Sequence, residues 1–237
     1  KKIKERALIL CGHGSRSSSY EKDFLILKKK IKKKIKDTDV LHCFIEINYP
    51  SLDSCINENI KKYKKIFIFP LLLFEGKHLL KDIKNKVKII SRATKVKIFL
   101  INKISLTQDV LPLFPSLIKT LKKENHDLLI TSCSFSKSKK VIKELENYTE
   151  RLSDLLKIKN KIFHFAGDET SVFKKIENSN INILLHPVFF FGGFLYQRNI
   201  NRFLIYKNLS TLNPLCQYNV VSSLISKKLI ESVHPLY

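Results

Sequence analysis

The sequence predicts an α/β protein of two similar lobes, each a parallel sheet flanked by helices. Three observations predict it. Short apolar runs of strand length alternate with longer amphipathic stretches along the 237 residues, which is the pattern of parallel strands joined by crossover helices. The alternation pauses near Lys122–His126 and then restarts. Landmarks of the first half also recur in order in the second. Leu8-Ile9-Leu10 matches Leu128-Leu129-Ile130, and Pro70-Leu-Leu-Leu-Phe-Glu-Gly matches Pro187-Val-Phe-Phe-Phe-Gly-Gly.

The elements follow in order. The apolar run 7–11 reads as a buried strand. Residues 20–35 read as a helix, because Phe24, Leu27, Ile31 and Ile35 share one face. A second strand is expected at 40–47, then a helix over 51–63 with Ser51 as its N-cap. A strand at 66–70, a helix at 78–90 and a strand at 96–101 complete the first alternation. A helix over 107–121 is expected despite Pro112 and Pro115. The break then sets the lobes at 1–123 and 124–237. The second lobe reads as strands at 127–131, 161–166 and 181–186, with helices at 137–156, 170–176, 198–206 and 217–230.

Lys and Arg total 44 against 21 Asp and Glu, a formal charge of +23. Such a surface steers anionic partners. The same excess is also what a bias of the source towards lysine, isoleucine and asparagine produces. Five cysteines, Cys11, Cys43, Cys55, Cys133 and Cys216, contain no Cys-x-x-Cys pair. That argues against a disulfide framework, a zinc ribbon or an iron–sulfur cluster, and points to a reducing cytoplasm. The basic start precedes an apolar run too short for a signal peptide, and no apolar stretch reaches the ~20 residues of a membrane span. No helix-turn-helix, zinc-finger or RNA-recognition signature accompanies the charge, so no nucleic-acid partner is expected.

Open parallel sheets bind ligands outside the carboxyl ends of their strands. Three polar groups fall there in the first lobe. Gly12-His13-Gly14-Ser15-Arg16 follows the first strand, Glu46 lies at the end of the second, and Glu75-Gly76-Lys77-His78 follows the third. Each alone is ordinary. A histidine after a strand is commonly a hydrogen-bonded turn residue, glycines permit tight turns, and a strand-end glutamate is commonly solvated. Their coincidence on three strand ends marks a candidate site.

These residues carry a resemblance. Ala7-Leu-Ile-Leu-Cys-Gly-His-Gly-Ser-Arg16 resembles the opening strand and loop of the sirohydrochlorin chelatases. Phe44-Ile-Glu-Ile-Asn-Tyr-Pro-Ser51 resembles their second motif, a glutamate ahead of Pro-Ser. Pro70-Leu-Leu-Leu-Phe-Glu-Gly-Lys-His-Leu-Leu-Lys-Asp-Ile83 is similar to their Pro-x-x-Leu-x-x-Gly-x-His signature. The duplicated length resembles the longer members, which include cobaltochelatases of the cobalamin route; ferrochelatases making sirohaem share the motifs. The resemblance implies a chelatase-like fold with a cleft between the lobes, and insertion of Co²⁺ or Fe²⁺ into sirohydrochlorin. It implies that His13 and His78 hold the metal, with Glu46 assisting catalysis. Gly12, Ser15, Arg16, Gly76 and Lys77 flank these groups and are assigned to substrate binding. No tightly bound cofactor is expected, because the metal is a substrate.

The chemistry agrees with that implication. Insertion strips water from the ion and removes two pyrrole protons. Neutral imidazole suits Co²⁺, Fe²⁺ and Ni²⁺, and histidine exchanges protons near neutrality. Ligand softness does not choose among the metals. A chain holding both lobes can form its own cleft, which favours a monomer.

The second lobe departs from the motif. Cys133 is expected where His13 stands, Ala166 where Glu46 stands and Leu195 where His78 stands. It reads as a non-catalytic lobe. His186, ahead of Pro187, reads as a structural histidine, with a reach towards the cleft as the alternative. A histidine phosphatase would need Arg where Gly12 stands, and a serine hydrolase would need a Gly-x-Ser-x-Gly elbow that is absent. A non-catalytic carrier of metal or tetrapyrrole is the alternative function, since binding and insertion use the same groups.

Overall fold

The structure, a computed structural model, describes residues 3–75, 79–121, 125–176 and 180–234. The chain divides into two compact units: Lys1–Ile104 together with Ser222–Tyr237, and Ser105–Val221.

In the first unit four strands, β1 (Lys4–Gly12), β2 (Asp39–Phe44), β3 (Tyr63–Pro70) and β4 (Lys97–Leu100), form one parallel sheet in the order β2-β1-β3-β4. β1 is central, and Ala7, Leu8, Ile9, Leu10 and Cys11 are all fully buried. That explains why this strand reads as a continuous apolar run rather than an alternating one. Helices α1 (Ser18–Lys34), α2 (Leu52–Asn59) and α3 (Leu79–Ala93) make the crossovers. α1 buries Tyr20, Phe24, Leu27 and Ile31 along one face, the spacing of an amphipathic helix. Cys11, Cys43 and Cys55 join Ile9, Ile56, Ile66 and Ile68 in the core beneath α2, so these thiols act as small buried hydrophobes.

The second unit repeats the plan. Strands β5 (Leu128–Cys133), β6 (Asn160–Phe165), β7 (Ile183–Pro187) and β8 (Leu209–Thr211) form a parallel sheet in the order β6-β5-β7-β8. Its helices are α4 (Phe114–Ile118), α5 (Lys139–Leu156), α6 (Glu169–Phe173) and α7 (Phe194–Phe203). The same main-chain bonds close both strand ends. Leu71 N–H donates to the Cys11 carbonyl at 2.8 Å, as Val188 N–H does to Ser132 at 2.6 Å.

Three local expectations change. Residues 107–121 are not one helix; a π-helical turn (Leu106–Val110) and a 3₁₀ turn (Leu111–Leu113) precede the short α4, because Pro112 and Pro115 lack the N–H groups a continuous helix needs. β2 ends at Phe44 rather than at 47, and a loop follows. β8, three half-buried residues long, gives no apolar run to read.

The units also divide elsewhere than between 123 and 124. Residues 105–121 belong to the second unit, where Phe114 packs its ring against His186 at 5.1 Å. The last helix, α8 (Asn219–Val233), starts in the second unit and continues into the first. There Lys34 Nζ donates to Ser223 Oγ at 2.8 Å, and Arg6 Nη1 lies 2.6 Å from His234 Nδ1. Among the described residues no helix is long and apolar enough to cross a membrane.

Candidate functional site

The site is built where β1 and β2 end side by side. Their pairing runs through Cys11 with Cys43 and Gly12 with Phe44. It continues past the strands as main-chain bonds: Ile45 N–H donates to the Gly12 carbonyl at 3.0 Å, and Glu46 N–H to the His13 carbonyl at 2.9 Å. His13 and Glu46 are therefore neighbours across two loops, although 33 positions apart by sequence. Glu46 is exposed and His13 half-buried.

Both glycines beside His13 are dictated by space. A methyl on Gly12 would sit 2.7 Å from Phe24 Cε2 and from Tyr20 Oη, two side chains that α1 presses against the loop. Gly14 has φ +102°, and a methyl there would overlap the Glu46 carbonyl oxygen. Gly14 N–H is satisfied by Tyr20 Oη at 3.1 Å. Burial pushes the Tyr20 phenol up to about 12, so it stays a neutral hydrogen-bonding post.

The β2 loop is tied back to the β1 loop by a residue that the motif reading did not single out. Asn48 Oδ1 accepts the Ser15 N–H at 2.6 Å, and Asn48 N–H donates to the Glu46 carbonyl at 2.7 Å. Between them Ile47 stands at φ +66°. The Pro50-Ser51 part of the motif closes the loop. Phe44 N–H donates to the Pro50 carbonyl at 2.9 Å, and Ser51 Oγ accepts the Ser54 N–H at 3.2 Å, capping α2. The only sequence signal for Asn48 was its type, a short side chain that bonds to nearby main chain.

Of the remaining site residues, Ser15 Oγ accepts the Ser17 N–H at 3.1 Å and Arg16 is exposed on the same loop. β3 ends beside β1, and the segment from Leu71 runs on to Glu75. Gly76, Lys77 and His78 lie outside the described residues. Among the described residues no three His, Cys, Asp or Glu side chains cluster with the spacing of a metal site; His13 and Glu46 are two such groups.

Hydrogen bonding corrects the match between the halves. Ala166 N–H donates to the Cys133 carbonyl at 2.6 Å, as Ile45 N–H does to Gly12. Cys133 therefore takes the place of Gly12, not of His13, and Ala166 that of Ile45, not of Glu46. Ser134 and Gly167 stand at the His13 and Glu46 positions. The apolar runs aligned one residue off because Leu and Ile are interchangeable along a strand buried on both faces, whereas the strand pairing, Gly12 with Phe44 and Cys133 with Phe165, gives the same register as these bonds. The loss of imidazole and carboxylate from these two places stands. His186 is fully buried, with Nε2 2.9 Å from Tyr148 Oη. Burial pushes its imidazole down to about 3. It is a neutral core histidine.

Residues 7–121, just under half of the chain, match the CbiX family model. The fold is similar to that of SirB from Bacillus subtilis with Fe³⁺, at a TM-score of 0.79 and 18% identity, covering 97% of this chain and 96% of that one. It is equally similar to the sirohydrochlorin chelatase SirB from Bacillus subtilis subspecies spizizenii in complex with cobalt, at a TM-score of 0.79 and 17% identity over 96% and 95% of the two chains. CbiX, the terminal enzyme of siroheme biosynthesis in denitrifying bacteria, matches at a TM-score of 0.66 and 12% identity over 98% and 100%. No curated protein matches by sequence.

Proposed function

Starting from CbiX-family sequence over residues 7–121, we propose that this protein is a sirohydrochlorin chelatase, inserting Co²⁺ or Fe²⁺ into the tetrapyrrole. The observation that carries the reading is the main-chain bond from Glu46 to His13 at 2.9 Å, which sets an imidazole-bearing and a carboxylate-bearing residue side by side at the carboxyl edge of a parallel sheet.

The reaction needs a weak metal site and a proton acceptor. Insertion forms metal–nitrogen bonds and releases two pyrrole protons. In the proposal His13 gives the incoming ion a neutral nitrogen ligand. His78 gives the second, by its place in the Pro-x-x-Leu-x-x-Gly-x-His motif. Glu46 is exposed and ionisable, and receives protons on their way to solvent. Two or three donors hold an ion loosely enough to release it to a macrocycle offering four. Arg16, exposed at the loop, and Ser15 bind substrate carboxylates in this reading, with Lys77 on the third loop. Gly12 and Gly14 are needed for shape. The second unit, with Ser134 and Gly167 at the matched places, supplies no metal ligand there.

The test is the absorbance change of sirohydrochlorin mixed with the protein and Co²⁺, Fe²⁺ or Ni²⁺. Insertion at a rate proportional to enzyme, above the spontaneous rate, is expected with at least one ion. Stoichiometric binding without turnover would leave a carrier instead.

A further inference from the structure

Among the described residues of the site loops, Ile47 is the non-glycine residue whose conformation works against its chemistry. It stands at φ +66°, in the left-handed region that β-branched side chains disfavour most. Its side chain is 61% exposed and that of Tyr49, two residues on, is 70% exposed. The strain therefore obtains little packing in return. It persists because the loop is fixed on both sides. Glu46 N–H is bonded to His13, Asn48 holds Ser15, and Tyr49 Oη donates to Glu58 Oε1 at 3.1 Å. Strain kept by surrounding bonds is characteristic of ligand clamps. Glycine or asparagine would hold this turn at less cost.

We infer that Ile47, supported by Tyr49, is the apolar seat for one face of the macrocycle, holding it beside the His13–Glu46 pair. The inference rests on the chelatase reading above. Two placements favour a flat conjugated ring edged with carboxylates over other apolar partners. Ile47 adjoins Glu46, so a ligand resting on it lies at the site already described. Arg16 and Ile47 also flank the same cross-loop bond, Arg16 next to Ser15 and Ile47 next to Asn48. An exposed cation and an exposed aliphatic residue are thus each one position from that bond, a placement that suits a carboxylate at the rim of an apolar plane.

The experiment uses the full chain with Ile47→Asn and Ile47→Leu. Metal-free sirohydrochlorin binding is followed by its absorbance, Co²⁺ binding by calorimetry, and stability by thermal midpoint. Ile47→Asn is expected to bind the macrocycle roughly tenfold more weakly, the scale of burying an aliphatic side chain. Its Co²⁺ affinity should not change, and its midpoint should hold or rise, because asparagine tolerates this backbone. Ile47→Leu should keep macrocycle binding. Unchanged macrocycle binding in Ile47→Asn overturns the inference, as does equal weakening towards Co²⁺, which would make Ile47 a shaper of the loop. A wild type that binds the macrocycle in an Ile47-dependent way without inserting metal would defeat the chelatase reading and keep the seat. A wild type that binds no macrocycle defeats both.

Discussion

Ser15 and Asn48 are joined by a 2.6 Å hydrogen bond between a main-chain N–H and a side-chain oxygen. This bond crosses from the loop after β1 to the loop after β2. With the Glu46–His13 bond it ties the two loops together, so the main-chain positions that carry the imidazole and the carboxylate are held by the sheet and its loop bonds.

Asn48→Ala should cost about 1 kcal/mol of stability, the value of one hydrogen bond. It should cost chelation more, on the order of tenfold or above, because small misplacements of reacting groups are expensive in rate. Asn48→Asp keeps the acceptor for Ser15 N–H and should recover most of the turnover. Steady-state kinetics with calorimetric unfolding would compare the three proteins. A large fall in midpoint with turnover intact would make Asn48 a purely structural residue.

Gly14→Ala should damage site and fold together. The left-handed backbone alone costs ~1–2 kcal/mol for a residue with a Cβ, and the methyl must displace the Glu46 carbonyl. Chemical denaturation and turnover on the purified variant would measure both. Wild-type values in both would mean that the loops are not held as described.

Stability should fall on acidification through the second unit's core. The folded-state value of His186 is depressed to about 3 by burial, against an ordinary ~6.5. Above the unfolded value the ring is neutral in both states and nothing is lost. Below it the unfolded chain takes up a proton that the fold refuses, so stability drops between about pH 6.5 and pH 3, by at most ~1.4 kcal/mol per pH unit. Burial, and then the Lys28 charge, push His42 down to about 4, and it adds in the same direction. Denaturant melts at pH 7, 6 and 5 on the wild type and His186→Gln should show a shallower pH slope in the variant, whose overall stability is lower through the altered contact with Tyr148. Equal slopes would place the acid sensitivity elsewhere.

The charge of +23 should act on capture rather than on chemistry. The last turn of α1 alone carries Lys32, Lys33 and Lys34. Attraction of a polycarboxylate is screened within ~8 Å at physiological salt. The second-order rate constant should decline with ionic strength while the saturated rate holds. A rate indifferent to salt would leave the lysines as compositional bias.

What was legible in the sequence follows from which forces act locally. β1 announced itself because a central parallel strand is buried on both faces, and α1 because its buried face repeats at helical spacing. The Pro-Ser motif was also readable, since Ser51 caps α2 within three residues; the paired glycines were readable as turn residues, although the groups that crowd them, Phe24, Tyr20 and Glu46, lie further along the chain. The register between the halves was not. It is set by main-chain bonds from Ile45 to Gly12 and from Ala166 to Cys133, which leave no trace in side-chain type. Asn48 was missed for the same reason, its partner being a main-chain N–H. Residues 105–121 join the second unit through contacts such as Phe114 with His186, and α8 returns to the first through Arg6 and Lys34; all these partners are far away in sequence, so no local signal could have moved the boundary from 123.

In the proposed reaction His13, beside Glu46, carries metal insertion. The most direct measurement is the initial rate of Co²⁺ insertion into sirohydrochlorin by His13→Ala, with circular dichroism verifying its fold. A loss of at least about a hundredfold is expected, the lower range for removing a positioned proton-transfer or ligand group, with the spectrum unchanged and wild-type titration giving one Co²⁺ per chain. A correctly folded His13→Ala enzyme that inserts cobalt at the wild-type rate would show that His13 does not carry the reaction.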